Sequence, residues 1–386
     1  MRVTERLEAD VCIVGAGIVG LAHALEARAR GLTVVVLERG EHAAGASVRN
    51  FGHVIVSGMA GGEQLAVALR ARERWLDAGP RAGLTVHETG TLIVARSDAE
   101  LEVLAGVAAE PERGTRLLTV SELTALAPVD ATGALGGLHA GLDLRVDPRR
   151  AVAALAALLA EDPGATVRFR APVHELSTGL AQASGVEVRA ELIIACPGPD
   201  HGWLAPALRP RRAGLTLCKL QMLRVAATAG RRYGPALLTG LSLLRYPGYS
   251  TKPGAEALRA ALAADRPELL ERGIHLIVTQ LPDGDLLLGD THEYGDTVSP
   301  FGEERLDELV LGEARRLLGG EPAVRQRWHG VYPTADGDPF LIEHPEEGIA
   351  VVEIVSGIGM TTALGLAPLT FDAAAAAPLA APHPRG

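Results

Sequence analysis

The stretch Val11-Cys12-Ile13-Val14-Gly15-Ala16-Gly17-Ile18-Val19-Gly20 constrains the fold of this chain more than any other. An apolar run ends in Gly-x-Gly-x-x-Gly and passes into an alanine-rich, helix-prone segment over residues 21–30. A second apolar run, Val34-Val35-Val36-Leu37, then ends in an acid, Glu38. This order of strand, glycine turn, helix, strand and acid predicts the opening unit of a doubly wound α/β fold, with a pyrophosphate resting on the helix N-terminus. Gly15 permits the turn, Gly17 lets the backbone approach the pyrophosphate, and Gly20 lets the helix lie against the sheet. Glu38 would accept hydrogen bonds from ribose hydroxyls and repel a 2′-phosphate, which disfavours NADP. The motif does not decide between FAD and NAD.

The chain has 386 residues, enough for about two to three domains. With 22% charged and 47% hydrophobic residues it reads as globular rather than disordered. A net charge of −10 leaves no footprint for nucleic acid. Cys12, Cys196 and Cys218 are too scattered for a disulfide framework or a zinc site and fit a reducing cytoplasm. The first residues carry no apolar signal segment, and no run of about eighteen apolar residues predicts a membrane span.

Periodicity predicts helices over residues 63–77, 98–109, 149–160 and 303–318, with a short helix capped by Ser121. Residues 86–95 read as a hairpin around Glu88-Thr89-Gly90, and strands are expected over 167–170, 173–176 and 192–196. From residue 215 the character turns antiparallel, with strands over 217–225 and 236–246 and a hairpin of 274–280 with 286–289 around Pro282-Asp283-Gly284. A strand over 348–354 leads to a second glycine turn, Ser356-Gly357-Ile358-Gly359-Met360-Thr361. It opens a short helix over 362–367 before Pro368 and could present N–H groups to a cofactor. The nucleotide fold is therefore assembled from both ends of the chain.

Several of these stretches act together. They are Gly15 to Gly20 with Glu38-Arg39, Gly45-Ala46-Ser47-Val48-Arg49-Asn50-Phe51-Gly52, Val146-Asp147-Pro148 and Ile194-Ala195-Cys196-Pro197-Gly198. To them are added Gly330-Val331-Tyr332-Pro333 with Asp336-Gly337-Asp338-Pro339, and Gly357-Ile358-Gly359-Met360. On these motifs the chain resembles, from about residue 9 to residue 371, the FAD-dependent D-amino-acid oxidase and sarcosine oxidase family, with its glycine oxidase-like members.

The resemblance implies an α/β fold: an FAD-binding Rossmann-like domain over 1–80, 145–212 and 325–372, interleaved with an α+β substrate domain over 81–144 and 213–324 built on an antiparallel sheet. Residues 373–386 are expected to form a frayed tail. It also implies oxidation of a small amine at its C–N bond by hydride transfer to flavin N5, giving an imine that water hydrolyses to an aldehyde or keto product. Oxygen or another acceptor would reoxidise the flavin. Some members attach FAD covalently, through a cysteine at the Gly330 position or a histidine at the Arg49 position. Neither residue here can form that bond, so noncovalent FAD is expected.

Amino-acid oxidases of the family often carry an arginine at the Tyr332 position to clamp a carboxylate, and Tyr332 cannot make that bidentate pair. The phrases Ser47 to Gly52 and Gly289-Asp290-Thr291-His292-Glu293-Tyr294 resemble a bacterial subgroup associated with phosphonate breakdown. That implies an aminoalkylphosphonate, such as N-methylated 2-aminoethylphosphonate, as substrate. The alternatives are an oxidase of glycine, sarcosine or another small amino acid, and an NAD-linked dehydrogenase.

The cofactor contacts so implied fall on Gly15, Gly17, Ile18, Val19, Gly20, Glu38 and Arg39, and on Ala46, Ser47, Arg49 and Asn50. They continue on Val173, Cys196, Gly198 and Gly330, and on Gly357, Ile358, Gly359, Met360 and Thr361. The substrate side is expected to hold Arg49, as a cation for an anionic substrate or the flavin, with His53, Tyr246, His292 and Tyr332. Packing is the competing role for Tyr246 and Tyr249, and a surface network with Asp290, Glu293 and Asp296 that for His292. Lys219 is a candidate cation near N5. Asp336 and Asp338 read as turn-capping aspartates, and no metal is expected.

Overall fold

The strand Glu5–Val14 runs parallel between Val34–Leu37 and Val186–Ala195, with Val11 opposite both Val34 and Leu192. Its apolar residues alternate in direction: Val11 and Ile13 enter one core, while Cys12 and Val14 enter a second core on the opposite face. A strand buried on both faces needs the unbroken apolar run that the sequence shows. The eight-stranded sheet continues outward to Ala165–Arg168 on one side and to Ile349–Ile354 and Phe340–Glu346 on the other. This is a computed structural model, and it describes residues 4–200, 214–227 and 230–376.

With Glu63–Arg81 packed outside them, three helices cover one face: Ile18–Ala29, Pro148–Ala160 and Gly359–Ala376. The last runs well beyond the expected 362–367 and passes through Pro368. The proline forfeits one helical hydrogen bond, but Ala363, Leu364, Leu366, Ala367 and Phe371 are all buried, and that packing carries the helix on. Arg30 reinforces it by donating to Pro368 O and Asp372 Oδ1. The expected tail therefore begins as helix, and residues 377–386 lie outside the described residues.

A second, nine-stranded sheet is built on the antiparallel pair Thr216–Ala226 and Ala323–Thr334. Ile277–Gln280 and Leu286–Gly289 pair as the expected hairpin. Residues 86–95 do not form one: Thr91–Ala95 pairs instead with Gly136–Ala140 and, in parallel, with Ala236–Leu238. Gly90, at φ 73°, turns the chain into the sheet rather than back on itself. The strand expected over 236–246 stops at Leu238 and gives way to the helical turns Gly240–Leu243 and Pro247–Ser250. Gly240 is pressed against the Glu100 carboxylate there, and Pro247 pre-sets the second turn. The helix Val120–Leu126 is capped by Thr119 rather than Ser121, because only Thr119 has an acid three residues on to close the box, Glu122. Among the described residues no helix is long and apolar enough to cross a membrane.

Candidate active site

A cavity of about 590 Å³ opens along the C-terminal ends of the parallel strands, from Glu38 to Tyr332. At its outer end Gly15 turns with φ 103°, and a Cβ there would stand 2.6 Å from Cys196 O. Helix Ile18–Ala29 starts at Gly17 and aims its free N–H groups at the cavity. Ser47 Oγ accepts from Ile18 N at 2.9 Å. Glu38 Oε2 accepts from Ala16 N at 2.8 Å and Oε1 from Gly40 N at 2.9 Å, which fixes the carboxylate at the strand end.

Val19, Gly20, Arg39, Ala46, Asn50, Val173 and Gly198 also line this space, as do Gly357, Gly359 and Met360 of the second glycine turn. Ile358 and Thr361 do not line it; they border a smaller cavity of about 40 Å³ together with Asn50, His53, Tyr246 and Gly357. Thr361 Oγ1 accepts from Ile55 N at 3.0 Å. Gly330 lies outside both, against Arg49: a Cβ on Gly330 would sit 3.2 Å from Arg49 O. Glu353, unremarked in the sequence, lines the large cavity, and burial with the charge of Glu343 pushes its carboxyl up to about 8.

Of the substrate-side candidates, Arg49 and Tyr332 line the large cavity, His53 and Tyr246 the small one, and His292 neither. Arg49 is exposed at the cavity mouth, where its Nη1 donates to His329 O at 3.2 Å. Tyr332 sits at the inner end with its ring against Gly357, and burial raises its phenol well above the usual value. Tyr246 meets Tyr249 and His275 edge-on, at 6.2 and 5.8 Å between ring centres. His53 is buried, its Nε2 paired with Thr91 Oγ1 at 2.7 Å; burial and then Arg145 push it down to about 3, so it stays neutral. Lys219 does not line either cavity, and its Nζ donates to Glu293 Oε2 at 2.7 Å and Phe301 O at 2.6 Å.

Sequence reading missed Arg245 and His275, and it read Asp290, which is buried, as part of a surface network. Arg245 Nε donates to His292 Nε2 at 3.2 Å, while His292 Nδ1 bonds Gly273 O at 2.7 Å. These two bonds select the neutral Nδ1–H tautomer of His292, in keeping with burial that pushes it down to about 4. His275 stacks on His292 at 5.2 Å and places Nε2 2.7 Å from Asp290 Oδ1. Burial raises Asp290, but the contact with His275 and the positive charge of Arg245 outweigh it and hold the carboxyl below its ordinary value. Ligand atoms of His275, Asp290 and His292 lie within 4.8 Å of one another. The guanidinium on His292 Nε2 puts positive charge where a cation would need that lone pair, which disfavours a metal ion there.

Behind Tyr246 a buried network holds Tyr249 in place. Asp143 accepts from Ser57 N at 2.8 Å and Ser57 Oγ at 2.7 Å, and Ser57 Oγ meets Tyr249 OH at 2.5 Å. Burial pushes the Asp143 carboxyl up to about 6.

The profile of the DAO family, described as FAD dependent oxidoreductase, matches residues 10–373. The chain belongs to this family. The NAD-linked alternative falls with that membership. A comparison with curated proteins finds no match. Among solved structures, the DAO-family fold recurs in glycine oxidase from Geobacillus kaustophilus, with a TM-score of 0.73 at 20% identity over 94% of each chain. Iminodiacetate oxidase from Chelativorans sp. BNC1 gives 0.73 at 20% identity, covering 96% of this chain and 97% of that one. L-alpha-glycerophosphate oxidase from Mycoplasma pneumoniae, solved with FAD bound, gives 0.73 at 19% identity over 95% of each chain.

The residues present fit the cofactor that defines the DAO family. Gly15 and Gly17 leave the backbone bare beside a helix N-terminus that its own N-cap residue does not cap, Glu38 stands at the outer end of the cavity, and a second helix starting at Gly359 opens on the same cavity. Backbone donors of this kind suit a pyrophosphate.

Proposed function

We propose that this DAO-family chain oxidises the C–N bond of a small amine, with an aminoalkylphosphonate as the best substrate. The observation that carries the reading is the continuity of the large cavity from the glycine cradle to Val331, Tyr332 and Pro333 on the second sheet, which supports a dinucleotide reaching from the cradle to Tyr332. When bound, FAD supplies the hydride acceptor, flavin N5. The substrate carbon loses a hydride and its nitrogen a proton, leaving an imine that water converts to an aldehyde or keto product.

The chain's own residues bind and orient. Tyr332 lines the large cavity and Tyr246 the small one, where neutral His53, its Nδ1 without a partner among the described residues, offers a hydrogen bond without charge. An amine that arrives unprotonated needs no side chain as base. The phosphonate assignment is supported by the phrases Ser47 to Gly52 and Gly289 to Tyr294. An oxidase of glycine, sarcosine or another small amino acid is the second reading, favoured by the glycine and iminodiacetate oxidases that share the fold.

Anaerobic mixing of the yellow protein with N-methylated 2-aminoethylphosphonate is expected to bleach the flavin absorbance faster than glycine, sarcosine or D-alanine does. Bleaching by the amino acids alone overturns the phosphonate assignment; bleaching by no amine overturns C–N oxidation itself. Gly330 and Arg49 provide no attachment atom for the ring, so acid precipitation is expected to release all the flavin into the supernatant. Colour that stays in the pellet would refute noncovalent binding.

A further inference from the structure

We propose that Arg245, together with the hydroxyls of Tyr332 and Ser356, forms a site for an oxyanion group carried by the amine substrate. The proposal rests on the reading that a small amine is oxidised here, and it names the group by which that amine is held.

Arg245 lies between two short helical turns, Gly240–Leu243 and Pro247–Ser250; it lines neither cavity itself, but its Nη2 reaches the hydroxyl of Tyr332, which lines the large one. Its bonds all go to neutral acceptors: His292 Nε2 at 3.2 Å, Tyr332 OH at 3.4 Å and Ser356 O at 3.4 Å. The last two are at the long limit of a hydrogen bond. Among the described residues no carboxylate lies within 4.0 Å of the guanidinium, and its Nη1 makes no hydrogen bond. The nearby acid, Asp290, is already engaged by His275 at 2.7 Å. A largely buried guanidinium with no carboxylate in contact is costly, and the cost is relieved when a ligand brings negative charge against it.

The neighbours of Arg245 suit that ligand. Ser356 Oγ is buried with no hydrogen-bond partner among the described residues, while its own carbonyl accepts from Arg245. The Tyr332 hydroxyl is a donor at the cavity's inner end. A planar guanidinium fork and two hydroxyls, contributed from three separate segments, offer donors to two or three oxygens of a carboxylate or phosphonate. The positive charge that a tyrosine at position 332 cannot supply is thus delivered to that hydroxyl from position 245.

The test uses the FAD-loaded protein and two anions that cannot be oxidised, methylphosphonate and acetate. Each is titrated while flavin absorbance and calorimetric heat are followed, in the wild type and in the Arg245→Met, Arg245→Lys and Ser356→Ala variants. At least one anion is expected to bind saturably to the wild type. Arg245→Met should weaken it roughly 10- to 100-fold, the range for a lost charge-assisted hydrogen bond. Arg245→Lys should fall between, because a point charge keeps the attraction and loses the fork. Tighter binding of methylphosphonate identifies a phosphonate-bearing substrate, and tighter acetate a carboxylate-bearing one. FAD content and melting temperature report whether each variant is folded; if Arg245→Met fails to fold, Arg245→Lys and Ser356→Ala carry the test. A yellow wild type that binds neither anion, or folded variants that bind as tightly as wild type, overturns the site while leaving amine oxidation standing. A colourless protein that takes up no FAD overturns both.

Discussion

Gly20→Val is expected to give a folded protein that purifies almost without colour. A Cβ at position 20 would stand 1.9 Å from Gly15 O, 3.0 Å from Gly15 C and 3.2 Å from Ile13 Cγ2. Two of these three atoms are backbone of the glycine turn, which is itself fixed between Leu37 O, bonded by Gly15 N at 2.8 Å, and the Cys196 carbonyl. The turn has nowhere to go, so helix Ile18–Ala29 must lift from the sheet and carry its N-terminal donors away from the pyrophosphate position. Overpacking of this kind costs about 1–3 kcal/mol, or roughly 10- to 100-fold in affinity if it falls on the bound state. The ratio of flavin to protein absorbance after dialysis measures it. Gly31→Ala is the matching control: φ is 80° there but nothing stands within 4 Å, so only a strain of about 1 kcal/mol is added. Full flavin occupancy in Gly20→Val would sink the argument.

The cradle was legible because it is local. Turn, helix start and acid all lie between Gly15 and Glu38, and each needs a residue type that the backbone dictates. Gly357 to Met360 was legible for the same reason, although the length of the helix it opens was not. Pro368 is a strong local stop signal, and it was outvoted by the packing of Leu364, Leu366 and Phe371, which no window of sequence contains. The hairpin read into residues 86–95 failed in the same way. Gly90 marks a turn in both cases, but the partner of Thr91–Ala95 is chosen by pairing with residues 136–140 and 236–238.

The substrate side was much less legible. Tyr246, His292 and Tyr332 were found as isolated unusual residues, whereas the group that joins His292 to Tyr332 is Arg245. An arginine beside a Tyr-Pro-Gly turn carries no local mark. Its importance comes from strand register: Cys218 opposite Tyr332, and the chain after Leu286–Gly289 crossing beside it. Lys219 illustrates the converse, since the same strand turns it to Glu293 and Phe301 O.

Trp75→Ala is the substitution expected to cost the most stability, and it should reach the cofactor as well. Trp75 is fully buried on helix Glu63–Arg81, and its Nε1 donates to Met360 O at 2.8 Å. Met360 is the second residue of the last helix and lines the cavity, so this indole holds the helix end that faces the dinucleotide. The two helices touch without side chains between them nearby, since a Cβ on Gly365 would come within 2.0 Å of Val67 O. That contact leaves little freedom to close a void. Truncation should therefore cost about 3–5 kcal/mol, near the top of the range for a large core side chain. Trp75→Phe keeps most of the packing and removes the donor; Met360 O keeps its intrahelical donor, so the lost bond costs about 0.5–1.5 kcal/mol. Thermal melts of the apo and FAD-loaded forms separate the two contributions. In Trp75→Ala both forms should melt several degrees lower, whereas in Trp75→Phe the larger loss should appear as weaker FAD binding. If Trp75→Phe binds FAD as the wild type does, the indole acts through packing alone and Met360 is positioned by the rest of its helix.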